Sequence, residues 1–178
     1  SNKRIYILKM DNSIKVTFPN SEKVYLHGKL NSDVKVGMRK VTLTPTVDIV
    51  NGEKKVTPNA PVYIYDTSGP YGDANMQIDL KKGLPRLREQ WITNRGDVER
   101  LPEISSKYGR QRRDDHNLDS LRFDHIALPF RAKPGKQISQ MFYAKQGIVT
   151  PEMEYVAIRE NMNCAELGIA TDITPELV

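Results

Sequence analysis

The chain has 178 residues and a net charge of +5, which fits one domain or one domain with extensions. A folded chain of this length buries roughly 70% of its extended-chain surface, so its 38% hydrophobic residues can form a core. Its single cysteine, Cys164, excludes an internal disulfide framework, and no apolar run approaches the roughly 18 residues of a membrane-spanning helix. We therefore expect a reducing, cytoplasmic setting without a membrane partner.

Short β-strands are predicted in the first third of the chain. They cover residues 5–8, 14–18, 24–27 and 38–43, which are rich in Ile, Val, Thr and Tyr and are separated by turn formers. This pattern is typical of an antiparallel meander. A further strand over 62–65 ends in Asp66-Thr67-Ser68, where an Asx-turn that satisfies its own backbone is favoured over a functional polar site.

The middle of the chain contains one clear helical pattern. Leu84, Leu87, Trp91 and Ile92 share one helical face, and Gly96 supplies a stop signal. Residues 97–128 show little periodicity and many charges, so we expect an extended segment with at most a short helical turn.

The last third is predicted to be helical. Ser139 precedes a helix over 140–145, and Thr150 caps a second helix that has a proline at its first position. Cys164 is expected to follow that helix as a buried, unreactive side chain. The helix start signal at Thr174 has only four residues after it, so we expect the chain to stop inside an element and to be a piece of a longer protein.

These patterns predict an α+β fold. The antiparallel, β-rich part covers residues 3–75. A helix and a charged extended loop follow over 76–128, and a helical part covers 129–178.

Two clusters of basic residues are candidate binding sites. The string PFRAKPGK places Arg131, Lys133 and Lys136 around a Pro-Gly turn, where they can face a phosphate or form a charged surface turn. It is not a P-loop, because the required glycine and Ser/Thr are missing. The segment from Lys107 to Arg113 is followed at once by acidic residues, so a solvated loop is favoured over a nucleic-acid patch. The three histidines have no zinc-like spacing, so we expect no metal site.

Four strings resemble, in order, the N-terminal region of the phosphomethylpyrimidine synthase family. They are FPNSEKVYLHG at 18–28, YDTSGPYGD at 65–73, IDLKKGLPRLREQWITNRGDVE at 78–99 and PFRAKPGKQISQMFYAKQGIVTPEMEYVAIREN at 129–161. Together they cover roughly half of the chain. One departure is that Phe142 and Lys145 stand where the family usually has His and Arg.

The resemblance implies the radical S-adenosylmethionine lyase of thiamine biosynthesis. That enzyme converts aminoimidazole ribotide to 4-amino-5-hydroxymethyl-2-methylpyrimidine phosphate. In the family, a (βα)8 barrel binds the ribotide, and a Cys-x-x-Cys-x-x-x-x-Cys motif near the C-terminus holds a [4Fe-4S] cluster. Neither is present in this sequence, which has one cysteine.

The resemblance therefore implies an N-terminal domain that is inactive alone and has no catalytic, cofactor-binding or metal-binding residues. Its partners are the barrel and C-terminal tail of the same polypeptide, the ribotide and a second copy in a homodimer, with no nucleic acid. Candidate substrate-binding residues are Arg131, Lys133, Lys136, Gln140 and Tyr143. The alternatives are a basic nucleic-acid-binding β module, in which Tyr108 accompanies the basic cluster, and a purely structural dimerisation domain.

Overall fold

A computed structural model describes residues 7–8, 18–79, 82–122, 127–170 and 172–178. The chain forms two compact units, and each is discontinuous in sequence. We call residues 10–76 and 149–178 the sheet unit and residues 1–9 and 77–148 the hairpin unit. The separate β-hairpin over residues 46–57 belongs to the sheet unit. In the described residues, no helix combines the length and apolar character that crossing a membrane requires.

The sheet unit is built on a three-stranded antiparallel sheet. Its strands are β2 (Ser21–His27), β3 (Lys35–Val41) and β6 (Val62–Tyr65), with β3 in the centre. The register places Lys23 opposite Arg39 and Arg39 opposite Ile64. Because side chains alternate across a strand, these three residues share one face of the sheet.

Helix α4 (Pro151–Glu166) covers the other face. Val36 and Met38 of β3 are fully buried there, and Met153 and Ala157, four residues apart on α4, are also buried. Tyr65 and Tyr155 join their hydroxyl groups at 2.9 Å. Asn161 bonds both the backbone N–H and the carbonyl of Ile173 at 2.7 Å, which ties the following segment to α4.

A β-hairpin is inserted between β3 and β6. It consists of β4 (Thr46–Val50) and β5 (Glu53–Thr57), and all of its residues are exposed. Asn51 and Gly52 at its tip both have positive φ, as a type I′ turn requires. The strands predicted from the sequence do not include this hairpin, although Asn-Gly is the strongest short-range hairpin signal.

The hairpin unit consists of short elements. The strand pairs are β1 (Ile7–Leu8) with β7 (Ile78–Asp79) and β8 (Val98–Arg100) with β9 (Phe130–Ala132). The helices are α1 (Glu89–Asn94), α2 (Lys107–Asp114) and α3 (Gln140–Lys145). Ile78, Trp91 and Tyr143 are its buried apolar residues among those described.

The α+β prediction is confirmed, with antiparallel strands followed by helices and no barrel among the described residues. The helix starts at Gln140 and Pro151 are confirmed as well. Ser139 accepts the N–H of Phe142, and Thr150 accepts the N–H of Met153. At the predicted start at Thr174, the structure has a single 3₁₀ turn, Pro175–Leu177.

Several predicted boundaries are wrong. The helix predicted from Leu84 begins only at Glu89, because Leu84 precedes Pro85 and the residue before a proline is disfavoured in helical conformation. Residues 97–128 contain the eight-residue helix α2, whose N-terminus is capped by Ser106, and are not mainly extended. The strand predicted over 38–43 ends at Val41. Cys164 lies inside α4 and is half-buried, so the prediction that it follows the helix is wrong.

Two predicted strands fall partly outside the described residues. Of the strand predicted over 5–8, only Ile7–Leu8 is described, and it is a strand. Of the strand predicted over 14–18, only Phe18 is described, and it lies outside any strand.

Candidate functional site

The three-stranded sheet has an open face, which carries Lys23, Arg39 and Ile64 and lies opposite α4. The loop after β6 lies at this open face. Asp66 accepts the backbone N–H of Ser68 at 2.9 Å, which confirms the predicted Asx-turn. A 3₁₀ turn over Gly69–Gly72 follows. The loop thus combines the turn-forming residues of the YDTSGPYGD string with a buried carboxylate.

Lys23 crosses the sheet to reach this carboxylate. Its ammonium lies 3.4 Å from Asp66 Oδ2 and also donates to the carbonyl of Gly69, and less than a tenth of either charged side chain is exposed. A Cβ on Gly37 would stand 3.4 Å from Lys23 Cε. The stem of Lys23 therefore passes beside Gly37 on its way from β2 to the loop beyond β6, at a distance that would also accommodate a Cβ.

A second tie joins β2 to the end of the loop. Tyr25 donates its hydroxyl to Asp73 Oδ2 at 2.5 Å. Burial, followed by this bond to Asp73, raises the pKa of Tyr25, and the same bond lowers the pKa of Asp73. Lys23 and Tyr25 thus hold both ends of the loop against the open face.

The charge of Asp66 is maintained against its burial. Burial alone would raise the pKa of Asp66, but the Ser68 hydroxyl, the backbone N–H of Ser68 and the charge of Lys23 together outweigh it and lower that pKa. Among the described residues, Ser68 Oγ has no hydrogen-bond partner despite its burial.

The open face also carries a groove of about 560 Å³, which the loop borders through Asp66 and Ser68. Its apolar walls include Phe18, Val41 and Ile64, and its polar groups include Arg39, Asp66 and Ser68. Arg39 stands in the centre of this face, between Lys23 and Ile64 in the register. A concave apolar site with a few polar groups is typical of small-molecule sites.

Glu154 forms a buried anchor on the opposite side of the sheet unit. Only 3% of it is exposed, and its carboxylate accepts the backbone N–H groups of Lys29, Leu30 and Asn31 together with the Asn31 side-chain amide. Burial opposes ionisation, but these four donors lower the pKa of Glu154. A Cβ on Gly28 would lie 2.8 Å from this carboxylate, so glycine is needed at that turn.

The predicted cationic turn lies in the hairpin unit. Gly135 has φ +74°, and the N–H of Lys136 bonds the carbonyl of Lys133 at 2.9 Å, so the predicted Pro-Gly turn is present. Arg131 is exposed on β9 opposite Glu99, and Lys136 is exposed in the turn. The Lys133 ammonium instead donates to the carbonyl of Gly96 at 2.6 Å, just after α1.

Tyr143 and Lys133 converge on one backbone segment. Tyr143 is 4% exposed and donates its hydroxyl to Asp97 Oδ2, while the backbone N–H of Lys133 bonds the carbonyl of Asp97 at 2.9 Å. The Arg95 guanidinium lies 5.2 Å from the Tyr143 ring centroid. Burial and then Asp97 raise the pKa of Tyr143. In this structure both residues have structural partners, and Gln140, at the first position of α3, is half-buried.

The basic cluster on α2 is partly neutralised. Arg113 pairs with Glu103 and Asp114, Arg110 donates to the carbonyl of Ser105, and Arg112 lies over the ring of Tyr108. His27 is exposed on β2 and His116 lies 3.3 Å from Asp119, while His125 lies outside the described residues. In the ranges that the structure describes, no three His, Cys, Asp or Glu residues are grouped as metal ligands.

Phe142, one of the departures from the family pattern, packs within the hairpin unit. Its ring meets the Tyr143 ring edge-on, with centroids 5.8 Å apart, and its side chain is half-buried. Lys145 is the last residue of α3 and is exposed, where a cation suits the helix C-terminus.

No sequence pattern marks Lys23, Arg39 or Glu154 as functional. Lys23 and Arg39 stand in polar–apolar alternation on strands, which resembles a solvated sheet face. Glu154 lies in the first turn of a helix, where an acidic residue is common for dipole reasons alone. Only the occurrence of Gly28 and Gly37 in otherwise strand-like segments indicated that another group comes close to the backbone there.

Residues 17–99 match the family model of the ThiC-associated domain. The matched range includes the three-stranded sheet, the loop held by Lys23 and Tyr25, and the groove. The match relates this part of the chain to ThiC and thereby to thiamine biosynthesis.

Proposed function

We propose that the chain is the N-terminal region of a phosphomethylpyrimidine synthase. This radical S-adenosylmethionine lyase makes 4-amino-5-hydroxymethyl-2-methylpyrimidine phosphate from aminoimidazole ribotide. The observation that carries the proposal is the match of residues 17–99 to the ThiC-associated domain. The family-like string at residues 129–161 supports it independently, because it lies outside the matched range.

The proposed role of this region is structural, and its side chains do not supply the ligands that a [4Fe-4S] cluster needs. A [4Fe-4S] cluster is held by cysteine thiolates, whereas the sequence contains only Cys164, half-buried inside α4. In the proposal, the barrel and C-terminal tail of the same cytoplasmic polypeptide hold the cluster and S-adenosylmethionine. The region described here contributes a sheet, a tied loop and exposed cations.

Among the five candidate substrate-binding residues, two are best suited to the ribotide phosphate. Arg131 and Lys136 are exposed on β9 and on the turn that follows it. Lys133 and Tyr143 already bond the Gly96-Asp97 segment, so their proposed contribution is to position that turn. Gln140 opens the helix that carries Tyr143.

The proposal also includes a homodimer. Val47, Ile49 and Val56 share one face of the β4–β5 hairpin and are 52%, 78% and 54% exposed. A two-stranded hairpin is marginally stable alone, so a second copy of the chain that covers this face would stabilise it. We expect Ile49→Lys to shift sedimentation of the chain toward the monomer. Thr57→Lys adds the same charge on the other face and should leave the dimer intact. A monomeric parent chain at high concentration would contradict this part of the proposal.

A genetic experiment tests the main proposal. In the organism that carries this gene, an in-frame deletion of the codons for residues 18–79 removes most of the matched range. We expect growth to require thiamine or hydroxymethylpyrimidine, and the thiazole precursor alone not to restore it. Complementation with the intact gene is the control. Normal growth without thiamine, or rescue by the thiazole precursor, would contradict the proposal.

A further inference from the structure

We infer that the groove on the open face of the three-stranded sheet is a binding site for a small amphipathic anion. Such a ligand has one carboxylate or phosphate group attached to an apolar ring or chain. The site would consist of Arg39 as the cation and Phe18, Val41 and Ile64 as apolar walls.

Arg39 is the first reason for this inference. The neighbouring cations on these strands have carboxylate partners, since Lys23 pairs with Asp66 and Lys40 pairs with Glu22. Arg39 is half-buried, and within the described ranges its side chain has no ion pair or hydrogen bond. A guanidinium presents planar, paired donors that suit a carboxylate or a phosphate.

The surroundings of Arg39 provide the apolar part of the site. Phe18 and Ile64 both line the groove and are 59% and 51% exposed. The volume of about 560 Å³ lies within the usual range for small-molecule sites. A ring or short chain placed there would remove apolar surface from water while its anionic end met Arg39.

The loop does not give the groove a preference for cations. Ser68 borders the groove, but its hydroxyl is buried and favours the ionised form of Asp66, so it is not counted as a donor to the ligand. Asp66 also borders the groove, but Lys23 lies 3.4 Å from its carboxylate and balances its charge. The unbalanced charge of the groove is therefore that of Arg39.

The loop ties give the site a fixed shape. Lys23 bonds the start of the 3₁₀ turn at Gly69, and Tyr25 bonds its end at Asp73. Both ties originate on β2, which also borders the groove through Ser21. A ligand site on a rigid sheet with a doubly tied loop loses little conformational entropy when it is filled.

Nuclear magnetic resonance titration of the whole chain tests the inference with three probes of one shape. 2-Naphthoate and 2-naphthyl phosphate carry the two anionic groups, and 2-naphthamide is the neutral control. We expect the backbone amides of Ile64 and Ser68 and the side-chain Nε–H of Arg39 to shift with either anion. The amide should bind about tenfold more weakly, because it cannot form the charged pair with Arg39. The better of the two anions identifies the preferred head group.

Two variants separate the role of Arg39 from net charge. Arg39→Gln should weaken the anionic probes about tenfold and leave the amide unchanged. Lys40→Gln removes the same charge from the adjacent residue on the other face and should leave all three affinities unchanged. Thermal unfolding of both variants verifies that the sheet unit remains folded.

Three results would overturn the inference. The first is equal affinity for the anions and the amide, which would make the groove a non-selective apolar surface. The second is a set of shifts that maps away from Ile64 and Ser68. The third is that probe binding dissociates a dimer whose interface includes the amides of the groove. This result would assign the groove to a second copy of the chain.

Discussion

Asn31 donates both its backbone N–H and its side-chain amide to one oxygen of Glu154, each at 2.8 Å. The two residues are 123 positions apart in the sequence. The first turn of α4 thereby holds the turn that connects β2 with β3.

Replacement of Glu154 should destabilise the sheet unit strongly. In Glu154→Gln, an amide NH₂ group would face backbone N–H donors that the carboxylate now accepts. We expect the free energy of unfolding to fall by about 2–3 kcal/mol, as for loss of buried charged hydrogen bonds. Urea denaturation measures the change. The matched control is Glu22→Gln, which removes an exposed partner of Lys40 and should cost under about 1 kcal/mol. Equal effects would refute the anchoring role.

The stabilising effect of Glu154 should depend on pH. Its folded pKa lies below the ordinary value of 4.5, so its contribution is complete above that value and is lost as the pH falls through the folded pKa. The difference in unfolding free energy between the parent chain and Glu154→Gln should therefore be constant near neutral pH and shrink below about pH 4.5. Denaturant titrations of both proteins between pH 7 and pH 3 measure it. A difference that grows on acidification would contradict the lowered pKa.

Gly28 should not tolerate a side chain. A Cβ at this position would lie 2.5 Å from the carbonyl oxygen of Asn31 and 2.8 Å from the Glu154 carboxylate. We expect Gly28→Ala to cost about 1–3 kcal/mol, because the backbone oxygen cannot move aside without loss of the turn. Gly37→Ala is the control, since its Cβ would be in ordinary contact at 3.4 Å. Chemical denaturation of the two variants should rank them clearly, and an equal cost would argue against the steric explanation.

The buried pair of Lys23 and Asp66 should matter more when it is broken than when it is removed. Lys23→Met leaves the Asp66 carboxylate buried without its cation, and we expect a cost of about 3 kcal/mol. In the double variant with Asp66→Asn, most of that cost should be recovered, because no uncompensated charge remains. A double-mutant cycle by thermal or urea unfolding gives the coupling energy. Additive effects would mean that the two side chains do not act as a pair.

Tyr143 offers a test between a structural role and substrate binding. Tyr143→Phe removes the donor to Asp97, whose other oxygen has no hydrogen-bond partner among the described residues. We expect a loss of about 1–3 kcal/mol in the stability of the hairpin unit, measured by denaturation with Trp91 fluorescence. Tyr108→Phe, at a 70% exposed position, should be neutral. If stability is unchanged while the KM for the ribotide rises in the full enzyme, Tyr143 contacts substrate.

Helix starts were predictable from sequence where one or two adjacent residues decide them. Ser139 and Thr150 accept N–H groups three residues away, so their capping depends on local chain geometry alone. The Asx-turn at Asp66 is equally local. Prediction failed at Leu84, where the apolar spacing suggested a helix but the following Pro85 and the lack of burial at Leu84 and Leu87 prevented it.

The sequence by itself determined the α+β class, the helix caps, the turn at Pro134-Gly135 and the resemblance to the synthase family. Only the tertiary structure decided which charges are paired. Lys23 crosses β3 to pair with Asp66, whereas Arg39, on the same face, has no partner among the described residues. The physical reason is distance along the chain. Caps and turns are decided by neighbouring residues, while a buried charge is stabilised by donors that only folding brings near, as Asn31 is brought to Glu154.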